Sequence, residues 1–219
     1  MTLPSNYILE RKPVKHARIR VDERQMVRVI VPDRFSDSEI NLLLNQKENW
    51  IKNKLDFFKN RPEIIPLKND QLLYLGEKYT FKINDELKKQ VLIDPEAKII
   101  QSDFDLLNPI IQFNWYRMGA RKVILKRLEE LAKPYGFSYN KVYIRNQKTK
   151  WGNCSGKKNL SFNWRLIKSP PFVMDYVIMH ELVHTKLFNH TRQFWVKLKS
   201  VYPKYKESIQ WLDRYGNGL

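Results

Sequence analysis

The hydrophobic positions of this chain change period along its length. Over residues 14–32 short β-branched runs, "ARIRV" and "MVRVIVP", alternate with charged positions, which predicts a hairpin ended by Pro32. Residues 36–60 switch to helical spacing: Ile40, Leu43, Leu44, Trp50, Ile51 and Leu55 recur on one stripe, with Ser36 or Ser38 available as a cap. Alternation returns in "LLYLGEKYTFKI", "QVLI" and "AKIIQ", with turns expected at Gly76-Glu77 and Asp94-Pro95. A long helix is predicted from Asn108, its cap, through Ala132, with Pro109 in the first turn and Pro134 and Gly136 closing it. "SYNKVYIRNQ" and "KNLSFNWRLI" read as strands separated by a turn-rich "KTKWGNCSGK". Ser169-Pro170-Pro171 then opens a helix expected to reach about Phe188, and "TRQFWVKLKSVY" and "YKESIQWLDRY" follow as two shorter helices. The order predicts an α+β fold, with a mixed, strand-rich module over 1–104 and a second domain over 105–219.

Charge sharpens that division. Residues 1–104 carry 19 Lys+Arg against 16 Asp+Glu, a balance of +3, whereas 105–219 carry 21 against 7, a balance of +14. The basic second half points to polyanionic partners, nucleic acid among them. No apolar run is long enough to span a bilayer, and the first residues show no secretory pattern. The single cysteine, Cys154, leaves no internal disulfide and fits a reducing, cytoplasmic setting.

The chemistry concentrates in "YVIMHELVHTKLFNHTRQFW", residues 176–195, which holds three of the four histidines of the whole chain. On a helix, His180 and His184 lie one turn apart on the same face, a spacing that lets both imidazoles bind one zinc ion. Glu181 is rotated by about 100° and is free to act as general base on a water rather than as a ligand. A continuing helix would carry His190 about 240° away from His184. The chain must therefore turn back, with Asn189 the expected left-handed turning residue and Thr191 the expected cap of the next helix. Three imidazoles and an open fourth position are the pattern of a catalytic zinc site.

In order and spacing, "RNQKTKWGNCS", "LSFNWRLI", "PPFVMDYVIMHELVHTKLFNHTRQFW" and "VYPKYKESIQWL" resemble the YgjP-like metallopeptidase family, relatives of the SprT-like zincins. The resemblance is densest over 113–213. It implies a zincin-like domain, an active-site helix packed on a small antiparallel-containing sheet, following the N-terminal module. It also implies a cytoplasmic zinc-dependent peptidase acting on protein or peptide, with His180, His184 and His190 as ligands of one Zn2+ and Glu181 as catalyst. Asn153 departs from the family's pattern, where a serine is expected. A metzincin is disfavoured, because Leu187 stands where that group has glycine.

Around this core, Trp151, Asn153, Asn163 and Arg165 are expected to line the substrate cleft, and the strands nearby to offer an edge for strand addition. Arg145 or Arg165 is an oxyanion candidate, Asp175 a partner of a ligand, and Cys154 a small buried side chain. Phe194, Trp195, Trp211 and Leu212 are expected to pack behind the catalytic helix. The competing reading is a zinc-containing, nucleic-acid-associated accessory protein with little or no peptidase activity, for which the family resemblance implies a link to restriction systems. It rests on the basic second half and on aromatic residues beside basic ones in "RNQKTKW" and "FNWR".

Overall fold

The computed structural model describes residues 7–22, 24–59 and 67–219. It divides into two compact units, Met1–Glu63 and Ile64–Leu219. The division read from the sequence, between 104 and 105, falls instead inside the second unit.

In the first unit, β2 (Arg18–Val21) and β3 (Val27–Pro32) form the antiparallel hairpin expected from the alternation. A further strand, β1 (Tyr7–Lys12), pairs with β3 in parallel and is not signalled by the sequence, because "YILERK" has no clean alternation. Val27, Val29 and Val31 bury one face of the sheet with Ile40, Leu44 and Ile51 of α1 (Asp37–Lys59). Residue 60, the last of the expected helix, lies outside the described residues. Ser36 caps α1 reciprocally: its Oγ accepts from the Glu39 N–H at 3.3 Å, and its own N–H donates to Glu39 Oε2 at 2.7 Å. Trp50, assigned to the inward stripe, is instead exposed, since neighbouring Ile51 takes the core position.

Among its described residues the second unit holds two sheets and four α-helices, an α+β arrangement. The first sheet has the order β4-β5-β7-β6, from β4 (Gln71–Tyr74), β5 (Glu77–Ile83), β6 (Val91–Asp94) and β7 (Ile99–Ser102). The second has the order β8-β10-β9, from β8 (Val142–Arg145), β9 (Gly152–Cys154) and β10 (Leu160–Asn163). The strand β9 lies in a segment read as turn, and Trp164–Lys168, read as strand up to Ile167, winds into a 3-10 helix because Asn163 Oδ1 accepts from the Arg165 N–H at 3.1 Å.

The helix α2 (Pro109–Ala132) packs on β8, on the 3-10 helix and on α3 (Pro171–His184). Asn108 caps α2, its Oδ1 accepting from the N–H of Ile110 at 3.0 Å, as the sequence predicts. Tyr116, Ala120, Ile124, Leu128 and Ala132 recur every four residues on the buried face of α2 and pack in one core with α3. Nearly all of α3 is buried, so it is the central helix of this unit. It is covered by Phe194, Leu198 and Val201 of α4 (Arg192–Val201) and by α5 (Tyr205–Tyr215).

The first sheet is bound into this unit by specific contacts. Tyr116 donates its hydroxyl to Leu73 O at 2.8 Å, Tyr74 stacks on Trp115, and the N–H groups of Leu75 and Gly76 donate to Ile167 O and Lys168 O. These contacts place the division before β4 rather than after β7. No helix among the described residues is long and apolar enough to cross a membrane.

Candidate metal centre

The last turn of α3 carries His180, Glu181 and His184. The helix ends there, short of the expected Phe188: Thr185 is its C-cap, still in right-handed helical geometry, with its N–H and Oγ both donating to Leu182 O, at 3.0 and 2.7 Å. Residues 185–190 then return the chain to the helix face. Asn189 is not left-handed; positive φ among non-glycine residues occurs elsewhere. Thr191 does occupy the N-cap position of α4, but its side chain makes no capping bond.

This reversal brings the three histidines together. Nε2 of His180, His184 and His190 form a triangle with edges of 3.2, 3.1 and 3.0 Å. Each ring nitrogen either carries a proton or offers one lone pair, so three cannot all be satisfied by one another. A cation can satisfy all three at once. Tetrahedral zinc at bond lengths of about 2.0–2.1 Å requires nitrogens about 3.3 Å apart, close to the observed edges. His184 is oriented for it, because its Nδ1 sits 3.0 Å from Leu187 O, to which Nδ1–H donates while Nε2 turns inward. His180 Nδ1 faces the Tyr176 hydroxyl at 3.4 Å. Phe194, fully buried, packs its ring 4.5–4.9 Å from all three imidazoles. The donor set fits zinc.

The electrostatics agree with that fit. Burial, reinforced by like-charged neighbours at His184 and His190, pushes His180 down to about 3, and burial likewise lowers His184. These imidazoles are therefore held neutral, the form that ligates. Glu181 is only 5% exposed, and its Oε2 has no hydrogen-bond partner among the described residues. Burial pushes its carboxyl up to about 8, against a smaller downward pull from the Lys150 ammonium. Glu181, the three histidines, Lys150, Gly152, Asn153 and Cys154 line one cavity of about 280 Å³.

The other residues singled out in the sequence separate into two groups. Asn153 lies on the edge strand β9 beside the histidines, whereas Trp151, Asn163 and Arg165 line an adjoining pocket. Arg145 stacks on Tyr143 at 4.7 Å, and neither it nor Arg165 lines the histidine cavity. Cys154 is half-buried, and burial pushes its thiol up to about 11, so it is a neutral side chain. Asp175 is no partner of a ligand: it accepts a two-point bond from Arg127, Nε to Oδ1 at 2.7 Å and Nη2 to Oδ2 at 2.8 Å, tying α2 to α3. Trp195 and Leu212 pack on the core, whereas Trp211 lies outside it against Tyr215.

Gly152 is the residue that motif reading missed. A Cβ there would lie 2.5 Å from Glu181 Oε1 and 2.6 Å from its Cγ, so the glycine makes the space that the carboxylate occupies. The sequence marks it only as turn chemistry.

A family model described as YgjP-like, metallopeptidase domain, matches residues 15–215. No curated protein and no solved structure matches the chain.

Proposed function

This chain belongs to the YgjP-like metallopeptidase family, and on that premise we propose that it is a zinc-dependent peptidase in which Glu181 is the general base. The observation that carries the reading is the triangle of inward-facing imidazole nitrogens beside a buried, unpartnered carboxylate. His180, His184 and His190 hold the metal. When bound there, zinc would supply Lewis-acid chemistry, the polarisation of a carbonyl and the acidification of a water. Glu181 takes a proton from the attacking water and passes it to the leaving amine. The edge strand β9, with Asn153, lies beside this carboxylate and supports substrate binding by strand addition in a zincin-like arrangement.

The test is metal content and turnover measured together. Wild type is expected to hold one zinc per chain and the His190→Ala variant to lose it. Glu181→Gln should keep the zinc while cleavage of unfolded protein falls by about 10²–10⁴-fold. Undiminished cleavage by Glu181→Gln, or full zinc content in His190→Ala, refutes the assignment.

A further inference from the structure

Next to the catalytic cavity lies a second pocket, of about 430 Å³, whose lining includes Lys148, Lys150, Arg165 and the terminal residue Leu219, and no carboxylate side chain. Lys150 lines both cavities, so the two adjoin at that residue. Neither lysine forms an ion pair among the described residues. Three like charges gathered round one concavity repel one another, and an anion in it would relieve that repulsion.

The loop that carries the lysines is held in place. Asn163, 3% exposed, donates its side-chain amide to Gln147 O at 2.9 Å and to Lys150 O at 3.2 Å, and its backbone N–H to Trp151 O at 2.8 Å. One buried side chain thus fixes the loop that carries both lysines. Arg165 donates Nη1 to Asn146 Oδ1 at 2.6 Å and lies over the Trp164 ring at 4.6 Å. The Gly216 backbone closes one wall against Trp151, leaving no room for a side chain: a Cβ there would meet Trp151 Cζ2 at 3.0 Å.

We propose that this pocket is a substrate subsite for the carboxylate of an aspartate or glutamate lying within about three residues of the scissile bond, a span of about 10 Å of extended chain. The inference rests on the peptidase reading above. The shape favours a single carboxylate over a phosphodiester backbone. A nucleic acid is held by a groove or stripe that follows many phosphates, whereas the three cationic residues here line one concavity that shares Lys150 with the cavity of the catalytic carboxylate.

Two measurements on the full chain test the pocket, and they separate it from the peptidase assignment. In the first, wild type digests a proteome-derived peptide library, and the cut sites are read by mass spectrometry. Aspartate or glutamate should be enriched about tenfold at one fixed position. The enrichment should vanish in Lys148→Gln/Arg165→Gln but persist in Lys122→Gln/Lys126→Gln, which removes the same charge from the exposed side of α2. Zinc content and melting temperature confirm that each variant is folded. Cleavage with no acidic preference overturns the subsite and leaves the peptidase.

In the second, zinc-loaded Glu181→Gln binds two fluorescent peptide pools that differ only in aspartate against asparagine at one position. A tenfold preference for the acidic pool, lost in the added Lys148→Gln/Arg165→Gln background, upholds the pocket even if the library goes uncut and the peptidase reading falls. Equal binding of the two pools overturns it. So does displacement of the acidic pool by a duplex oligonucleotide at equal concentration with a steep salt dependence, which would assign the cations to phosphate.

Discussion

Glu181 is confined from two sides, by the helix that carries it and by the backbone of Gly152. Because a methyl at residue 152 would meet three atoms of the carboxylate side chain within 3 Å, Gly152→Ala must displace Glu181 while leaving the histidines in place. The expected outcome is stoichiometric zinc with kcat down at least about tenfold, since small displacements of a catalytic group are costly; unchanged kcat would show that the carboxylate does not need this space. Removing the carboxyl charge has a separate, pH-dependent effect on the metal-free protein. Glu181 is raised to about 8 in the fold from an ordinary value of 4.5, so the folded state binds the extra proton between those values and loses stability as pH rises through them. Glu181→Gln carries no such proton, and metal-stripped Glu181→Gln should therefore gain in melting temperature relative to metal-stripped wild type from pH 4.5 to 8. A difference that stays flat over that range would show the carboxylate to be ionised at no cost. The histidines could be read from the sequence because all three fall within eleven residues of one another. Gly152 could not, because its meaning is a distance to a side chain far along the chain.

At the scale of elements, the helices and most strands were legible and β1 and β9 were not, for a physical reason. Each of α1 and α2 is over twenty residues long and carries its own cap, so spacing and capping specify it locally. β9 has three residues, begins with glycine and exists through its register with β10, which pairs Leu160 with Cys154 and Phe162 with Gly152. Nothing within three residues can announce such a partner. The end of α3 falls earlier than periodicity implies because the apolar positions continue to Leu187 beyond the last helical turn; Thr185, by bonding back to Leu182, stops the helix first. The seam between α2 and α3 gives a prediction. Arg127→Ala leaves the buried Asp175 carboxylate without its two-point donor and should cost about 2 kcal/mol in denaturant unfolding, less than for a fully buried pair because Arg127 keeps 40% side-chain exposure. Zinc content should not change, since neither residue touches the histidines. A loss of zinc would give Asp175 the role in the metal site that its contacts deny it.

At the scale of the molecule, charge and fold divide the chain at different places. The excess of cations begins after residue 104, yet the contacts that bind β4–β7 to α2 and to the 3-10 helix lie across that point. Net charge speaks to partners and solubility and is silent on which elements share a core. The turn between β4 and β5 shows how tight the connection is. Gly76 has φ of +85°, and a Cβ there would fall 2.7–2.9 Å from atoms of Pro170, two of them backbone, so Gly76→Ala should cost at least about 2 kcal/mol of stability. The same contacts separate two truncations. A fragment of residues 64–219 keeps both sheets together with the core around α2 and α3, and should melt cooperatively and bind one zinc. A fragment of residues 105–219 loses the acceptor of the Tyr116 hydroxyl, the ring stacked on Trp115 and the backbone donors to Ile167 and Lys168. It dismantles the buried cluster of Leu72, Tyr79, Phe81, Ile100 and Leu106 by deleting its first four members. Apolar surface uncovered on that scale favours aggregation or a loose, non-cooperative state. Circular dichroism melts of the two fragments decide between the boundaries: equal cooperativity and equal zinc in both would return the division to residue 104 and leave β4–β7 as an appendage of the metal-binding fold.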